Sequence, residues 1–484
     1  MDIHNIISFI VSTILVINTL LAAGVLFFER RDIGYTWAWL MVLFFIPILG
    51  FIIYIFLGRN LKRNNFYRLT LEERAFLQSA VDQQISAFGR EDQHRSPLLN
   101  EYTDVVRMNL ISNHALLTHH NQIAIFNDGE QKFHALFADI RAAKKEINVQ
   151  YYIIQPDSLG ERLRDELTKK AKEGVKVRVL YDEIGSKKIS PTFFKDLLDF
   201  GGEVEVFFPS LLRLINFRMN NRNHRKLCII DGKVAYIGGF NVGNEYLGAN
   251  TKFGYWRDTH LRMEGEAVNH IQARFILDWN QAGKHKKLEH DGFCFNSEKH
   301  EGDVPVQIVA SGPNSEDEHL KNMYIKLIMN AKKSVAIQTP YFIPDSSFMD
   351  ACKIALLSGV DVRIMIPSKP DHPFVYWASW VYAGELLKYG ANVLLYEKGF
   401  LHAKTIVVDE RVASVGTMNI DSRSFRLNFE VNAMIYDRAI AKQLKDMFNK
   451  DTEVCKELTL ERYKERSLII KFKEDVSRLL SPIL

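Results

Sequence analysis

His224-Arg-Lys226-Leu-Cys-Ile-Ile-Asp231, followed by Gly238-Gly239-Phe-Asn241, is written twice in this chain. At an offset of 178 residues stands His402-Ala-Lys404-Thr-Ile-Val-Val-Asp409, followed by Gly416-Thr417-Met-Asn419. Both copies obey H-x-K-x4-D-x6-G-x2-N without a gap, which chance would place in a chain of this length roughly once in 10⁴ trials. The apolar runs after each Lys read as strands, and Asp-Gly or Asp-Glu before a second apolar run reads as a hairpin. On a strand, His224 and Lys226 are i and i+2 and share a face, as do His402 and Lys404. Asp231 and Asp409 have the opposite parity and begin the turn. Their main role is therefore to hold the hairpin, with a direct proton role as the second reading.

Outward from these segments the repetition continues. Ile147–Ser158 matches Val335–Ser346 at an offset of 188, sharing Gln150/Gln338 and a Pro-Asp-Ser ending. Gly174–Val179 matches Gly359–Ile364 at 185, and Gly201–Phe207 matches Gly390–Tyr396 at 189. Strands alternating with amphipathic helices predict an α/β sandwich in each half. The expected division is a first half over 134–290 and a second over 304–455, with the polar stretch Lys284–Asp303 between them. The fall of the offset from 189 to 178 puts eleven extra residues in the first half, within 208–223. That stretch, apolar and basic, reads equally as a membrane-contacting flap or as a packed connection.

The average composition hides a membrane segment. In 484 residues, 62 Lys and Arg against 58 Asp and Glu give a charge of +4, too small for a phosphate-tracking groove, so nucleic acid is not expected as a partner. Yet Ile6–Phe28 is 23 residues without a formal charge, roughly 35 Å as a helix and enough to span a bilayer core. After Glu29-Arg-Arg-Asp32 a second uncharged run extends from Ile33 to Gly58, with Tyr35, Trp37 and Trp39 placed for an aromatic belt. The expectation is a two-helix transmembrane hairpin over 1–60 and a connecting region over 61–133. A cleaved signal peptide is disfavoured, because no Lys or Arg precedes the first run. Arg59, Lys62, Arg63 and Arg68 outnumber the two Arg of the link, so the positive-inside rule places the remainder in the cytoplasm.

A histidine beside an ammonium on one face, near a Gly turn bearing Asn, suits a phosphoryl group. Lys226 and Lys404 supply charge, Asn241 and Asn419 neutral donors, and the imidazoles a nucleophile or proton carrier. One half offers one His; two halves offer the pair that a two-step displacement needs. No metal is expected, since no H-x-x-x-H or H-E-x-x-H occurs around these histidines and an adjacent Lys repels a cation. No G-x-x-x-x-G-K-[ST] is present, so no nucleotide cofactor is expected. Four scattered cysteines, without CxxC, indicate neither a disulfide framework nor a zinc site. The aromatic segment Asp371–Tyr382 reads mainly as core, with His372 a secondary site candidate, and 456–484 as an amphipathic segment able to dock on protein or membrane.

The paired motifs resemble the phospholipase D superfamily. With Tyr35-Thr-Trp-Ala-Trp39, Pro47, Gly50 and Gly58-Arg59, nearly the whole chain resembles the bacterial cardiolipin synthases within it. The resemblance implies two α/β halves packed as a pseudo-dimer in a bacterial cell-membrane enzyme. It implies a catalytic set of His224, Lys226, Asp231, His402, Lys404 and Asp409, acting without a cofactor. It further implies that His224 attacks phosphatidylglycerol, that His402 protonates the departing glycerol, and that His402 then deprotonates a second phosphatidylglycerol. Asp258 and Glu430 match the family's backing acids, expected to pair with His402 and His224 from the opposite half. A hydrolytic phospholipase and an inactive membrane scaffold are the competing readings. The sequence leaves homo-oligomerisation open.

Overall fold

The computed structural model describes residues 3–28, 33–46, 49–54, 66–67, 70–89, 96–210, 220–283 and 302–481. In the first half, seven strands form one sheet: Asn121–Phe126 (β1), Glu146–Tyr151 (β2), Lys176–Asp182 (β3), Glu203–Phe207 (β4), Leu227–Ile230 (β5), Val234–Gly238 (β6) and His260–Gly265 (β7). In the second half stand Val306–Ser311 (β8), Ser334–Gln338 (β9), Asp361–Pro367 (β10), Asn392–Tyr396 (β11), Thr405–Val408 (β12), Val412–Gly416 (β13) and Glu430–Ile435 (β14). The first sheet runs β1-β7-β6-β5-β2-β3-β4, and the second contains β8-β14-β13-β12-β9-β10-β11. This is the same order with the same mixture of parallel and antiparallel neighbours. The sequence repeat is therefore a repeat of topology, and the fold is mixed α/β with two related halves.

Local chemistry fixes the elements. The Pro-Asp-Ser shared by both halves starts a helix in each: Asp157 accepts from Gly160 N at 3.2 Å and Asp345 from Phe348 N at 3.1 Å, each an N-cap. Those helices, Ser158–Lys172 and Ser346–Leu357, cover the outer faces. The inner faces meet. Leu227, Ile229 and Leu261 of the first sheet share one buried cluster with Ala336, Val407 and Ala433 of the second. Ala267–Ala282 and Arg438–Thr452 contribute Phe275 and Phe448 to it.

Several boundaries differ from the sequence-based division. The first sheet starts at Asn121 rather than near 134, because the Asn121–Phe126 strand pairs with His260–Gly265. Part of the expected connecting region packs into the core of the second half. Val81, Leu99, Tyr102, Val106 and Leu110 pack with Leu320, Met323 and Leu327, and Leu117–Thr118 extends the second sheet beside β8. Apolar residues at helical spacing drew these segments into a core that sequence reading placed elsewhere. The C-terminal segment is two helices, Leu460–Lys464 and Leu468–Leu479, preceded by a strand, Cys455–Glu457, on β11.

At the N-terminus, Ile3–Phe28 is one helix, and its window Ile7–Gly24 alone among the described residues is long and apolar enough to cross a membrane. The described part of the second uncharged run contains the helices Ile33–Phe45 and Leu49–Ile53. These pieces pack on the first helix: Asn18 Nδ2 donates to Leu43 O, and Trp39, Leu43 and Tyr54 cluster with Ala22. The basic residues 59, 62, 63 and 68, the link 29–32, Pro47, Gly58, residues 211–219 of the expected flap, and 284–301 of the expected boundary lie outside the described residues.

Candidate active site

Each His-x-Lys segment lies where the two halves exchange short backbone contacts. His224 N donates to Phe429 O at 3.0 Å, and Phe429 N donates to Arg222 O at 2.8 Å. On the related side, Gly399–Leu401 pairs in parallel with Tyr255–Arg257, and His402 N donates to Arg257 O at 2.7 Å. These contacts place each imidazole against a carboxylate of the opposite half. His224 Nδ1 lies 2.9 and 3.0 Å from the two oxygens of Glu430, and His402 Nδ1 lies 2.6 Å from Asp258 Oδ2. Nε2 is the remaining nitrogen of each ring. Both histidines line one cavity of about 550 Å³, together with Asn241 and Asn419.

The lysines are fully buried and do not line the cavity, and each ammonium donates to the carbonyl of its own histidine, Lys226 to His224 and Lys404 to His402. Burial pulls Lys226 down to about 7 and Lys404 down to about 8. Burial likewise lowers His224, against the pull of Glu430, and takes His402 down to about 4, with Lys404 adding to the fall. Burial would raise Asp258 and Glu430, but their histidine and lysine neighbours outweigh it and hold both carboxyls below the usual range. At neutral pH the site thus holds neutral imidazoles on ionised carboxylates.

Asn241 accepts from Ile153 N at 3.2 Å and donates to Tyr246 OH at 3.0 Å, so it also fixes the cavity wall. Asn419 Oδ1 is buried with no partner among the described residues. Asp231 and Asp409 do not line the cavity. Asp231 accepts from the backbone N–H of Lys144, Lys145 and Glu146 at 2.7–2.9 Å, and Asp409 from Lys332, Lys333 and Ser334 at 2.7–2.8 Å. They tie hairpin turns to the starts of β2 and β9, at the strand ends away from the histidines. His372 does line the cavity, with Asp371 and Val375, while Trp380 of the same segment joins the core.

Sequence reading missed the layer beneath the two dyads. Arg225, on Asp278, donates to the Glu430 carbonyl at 3.2 Å; Arg257, on Asp451, donates to the Asp258 carbonyl. Gln150 reaches Asp278 at 2.6 Å and Gln338 reaches Asp451 at 2.8 Å, which explains the glutamine shared by the repeat. The signal was present, since Asp278 follows Asp258 by 20 residues (278 − 258) and Asp451 follows Glu430 by 21 (451 − 430). Also unforeseen were Tyr152, whose ring lies 5.0 Å from that of His224, and Trp256, 5.2 Å from His402. Among the described residues no group of three or more His, Cys, Asp or Glu is placed to hold a metal ion.

Two topologically matched sheets, joined at one cavity by crossed histidine–carboxylate pairs, define a two-repeat phospholipase D-like protein. The family described as "Cardiolipin synthase, PLD-like domain" matches residues 136–279 and 324–452, and "Phospholipase D-nuclease N-terminal" matches 16–59. The chain is 55% identical to the major cardiolipin synthase of Bacillus subtilis (strain 168), over 99% of each chain. To a cardiolipin synthase of Staphylococcus aureus (strain Mu50) it is 51% identical, over 97% of this chain and 95% of that one. The chain belongs to the cardiolipin synthase family. Its fold is similar to that of the phosphatidylserine synthase of Haemophilus influenzae Rd KW20, at a TM-score of 0.61 and 18% identity, covering 79% of this chain and 100% of that one.

Proposed function

We propose that this protein condenses two phosphatidylglycerol molecules into cardiolipin and glycerol. The observation that carries the reading is the meeting of two histidine–carboxylate pairs, each crossing between halves, at one cavity. His224 Nε2 attacks the phosphorus of the first lipid while His402, charged by a second proton on Nε2 once the anionic lipid phosphate is bound beside it, gives that proton to the departing glycerol oxygen; the phosphorus–oxygen bond breaks and a phosphatidyl-histidine remains. His402 then takes the proton of a hydroxyl on the second lipid; that oxygen bonds to phosphorus and the phosphorus–nitrogen bond breaks. Glu430 and Asp258 hold each Nδ1 proton and stabilise the imidazolium that forms. Lys226, Lys404, Asn241 and Asn419 offset the developing phosphoryl charge. One phosphodiester replaces another, so the exchange needs no nucleotide.

In this reading the halves act as a pseudo-dimer, and Asp231 and Asp409 serve the scaffold. The segments Ile3–Phe28, Ile33–Phe45 and Leu49–Ile53 act as a two-span membrane hairpin with the catalytic region on the cytoplasmic side. The protein reconstituted in phosphatidylglycerol vesicles should release cardiolipin and glycerol in equal amounts. Phosphatidic acid as the main product would move the assignment to hydrolysis, and cardiolipin formation by His224→Ala would overturn the nucleophile.

A further inference from the structure

The helix Leu468–Leu479 is amphipathic the wrong way round for a helix that closes a soluble domain. Its inward face, packed on the helix Pro373–Leu387, carries Glu474 and Ser477, 2% and 0% exposed, with Glu474 held by Arg466 at 2.9 Å. Its outward face carries Leu468, Phe472 and Leu479, 83%, 68% and 81% exposed, at i, i+4 and i+11, with Ile469 beside them and one exposed acid, Asp475, at i+7, against the three basic side chains Lys471, Lys473 and Arg478 of the same helix. A domain's surface helix ordinarily buries its apolar stripe and shows its polar one, so this stripe needs an apolar occupant from outside the fold. We propose that the occupant is the surface of an anionic phospholipid bilayer, with the helix lying in the interface beside the cavity. The proposal rests on the lipid-substrate reading above.

Three observations favour a bilayer. Lys471 and Lys473 lie on opposite flanks of the stripe and Arg478 beside Lys471, the arrangement by which basic side chains reach anionic headgroups while neighbouring apolar ones sink below them. The helix has twelve residues, roughly 18 Å, too short to span a bilayer but suited to lying in its plane. Its supporting helix is continuous with the cavity: His372 and Val375 line it, Phe374 between them is 52% exposed, and Lys473 lies 5.6 Å from the Trp377 ring. A second copy of the chain is the weaker occupant, since a handful of apolar side chains falls well short of the roughly 20–30 residues a side of a standard interface. Docked this way, the helix would hold the cavity mouth at the headgroup level, where both substrates reside.

The test uses the full chain in phosphatidylglycerol vesicles doped with a phosphatidylglycerol carrying a photoreactive diazirine on one acyl chain. After irradiation and digestion, lipid adducts are expected on peptides covering 468–479 as well as on the N-terminal helix. Adducts confined to the N-terminal helix would overturn the proposal, as would Lys473 of two chains being joined by an added amine-reactive crosslinker with no lipid adduct on 468–479. This readout needs no turnover, so it stands or falls separately from cardiolipin synthesis. Leu468→Ser with Phe472→Ser, both solvent-facing, gives a second measure. The ratio of KM for vesicular to KM for short-chain monomeric phosphatidylglycerol should rise about five- to tenfold; an unchanged ratio would count against docking.

Discussion

At the residue scale, the catalytic proposal depends on charge states that burial sets. Lys226 and Lys404, at about 7 and about 8, are charged below those values and neutral above them, whereas His402, at about 4, is neutral over most of the range. kcat/KM, which reports the free enzyme, should therefore fall as pH climbs through about 7 to 8, where the two ammoniums lose their charge. A profile flat to about pH 9 would show that the lysine charges do not assist the reaction. A second prediction follows from a difference between the repeats. At Gly239 a Cβ would lie 1.9 Å from Asp258 Oδ1, whereas the equivalent Thr417 uses its hydroxyl to donate to Glu430. Gly239→Ala should displace the carboxylate that orients His402 and lower kcat about 10–100-fold, with the loss read in steady-state cardiolipin formation.

Single turns carry as much of the architecture as the strands they join. Asp231 and Asp409 both sit at φ +53°, in the left-handed region, and each gathers three backbone N–H groups where the chain enters β2 or β9. Asp409→Ala should cost about 2–4 kcal/mol, from lost hydrogen bonds and from Ala's poor fit to that backbone, measured by denaturant unfolding. The KM of the folded fraction should stay at the parent value, and a rate loss beyond the folded fraction would restore a chemical role. The ion pairs under the dyads form a comparable device. Asp451→Asn leaves Arg257 buried without its counter-charge and should destabilise by about 3–5 kcal/mol, visible as a lowered Tm.

Across the whole molecule, Phe429 marks where the halves become one enzyme. Fully buried, it packs its ring within 5.4–6.0 Å of those of Phe66, Tyr67, Phe207 and Phe208, and its backbone bonds Arg222 and His224. Phe429→Ala should cost about 3–5 kcal/mol and lower activity further by loosening Glu430, measured by unfolding and turnover on the same preparation. By itself the sequence determined the repeated α/β halves, the two His-x-Lys pairs, the Asn positions and the apolar helix at the start. Those signals are local: strand parity, a cap residue, a run without charge, and a motif repeated at fixed spacing. Only the tertiary structure decided that Val81 and the helices of 97–113 pack into the second half's core, and that Arg225–Asp278 and Arg257–Asp451 support the dyads. It also separated Asp231 and Asp409 from the cavity and turned the apolar face of 468–479 outward. Each of these depends on which surfaces meet between segments far apart in the chain, and spacing along a strand or helix carries no record of that.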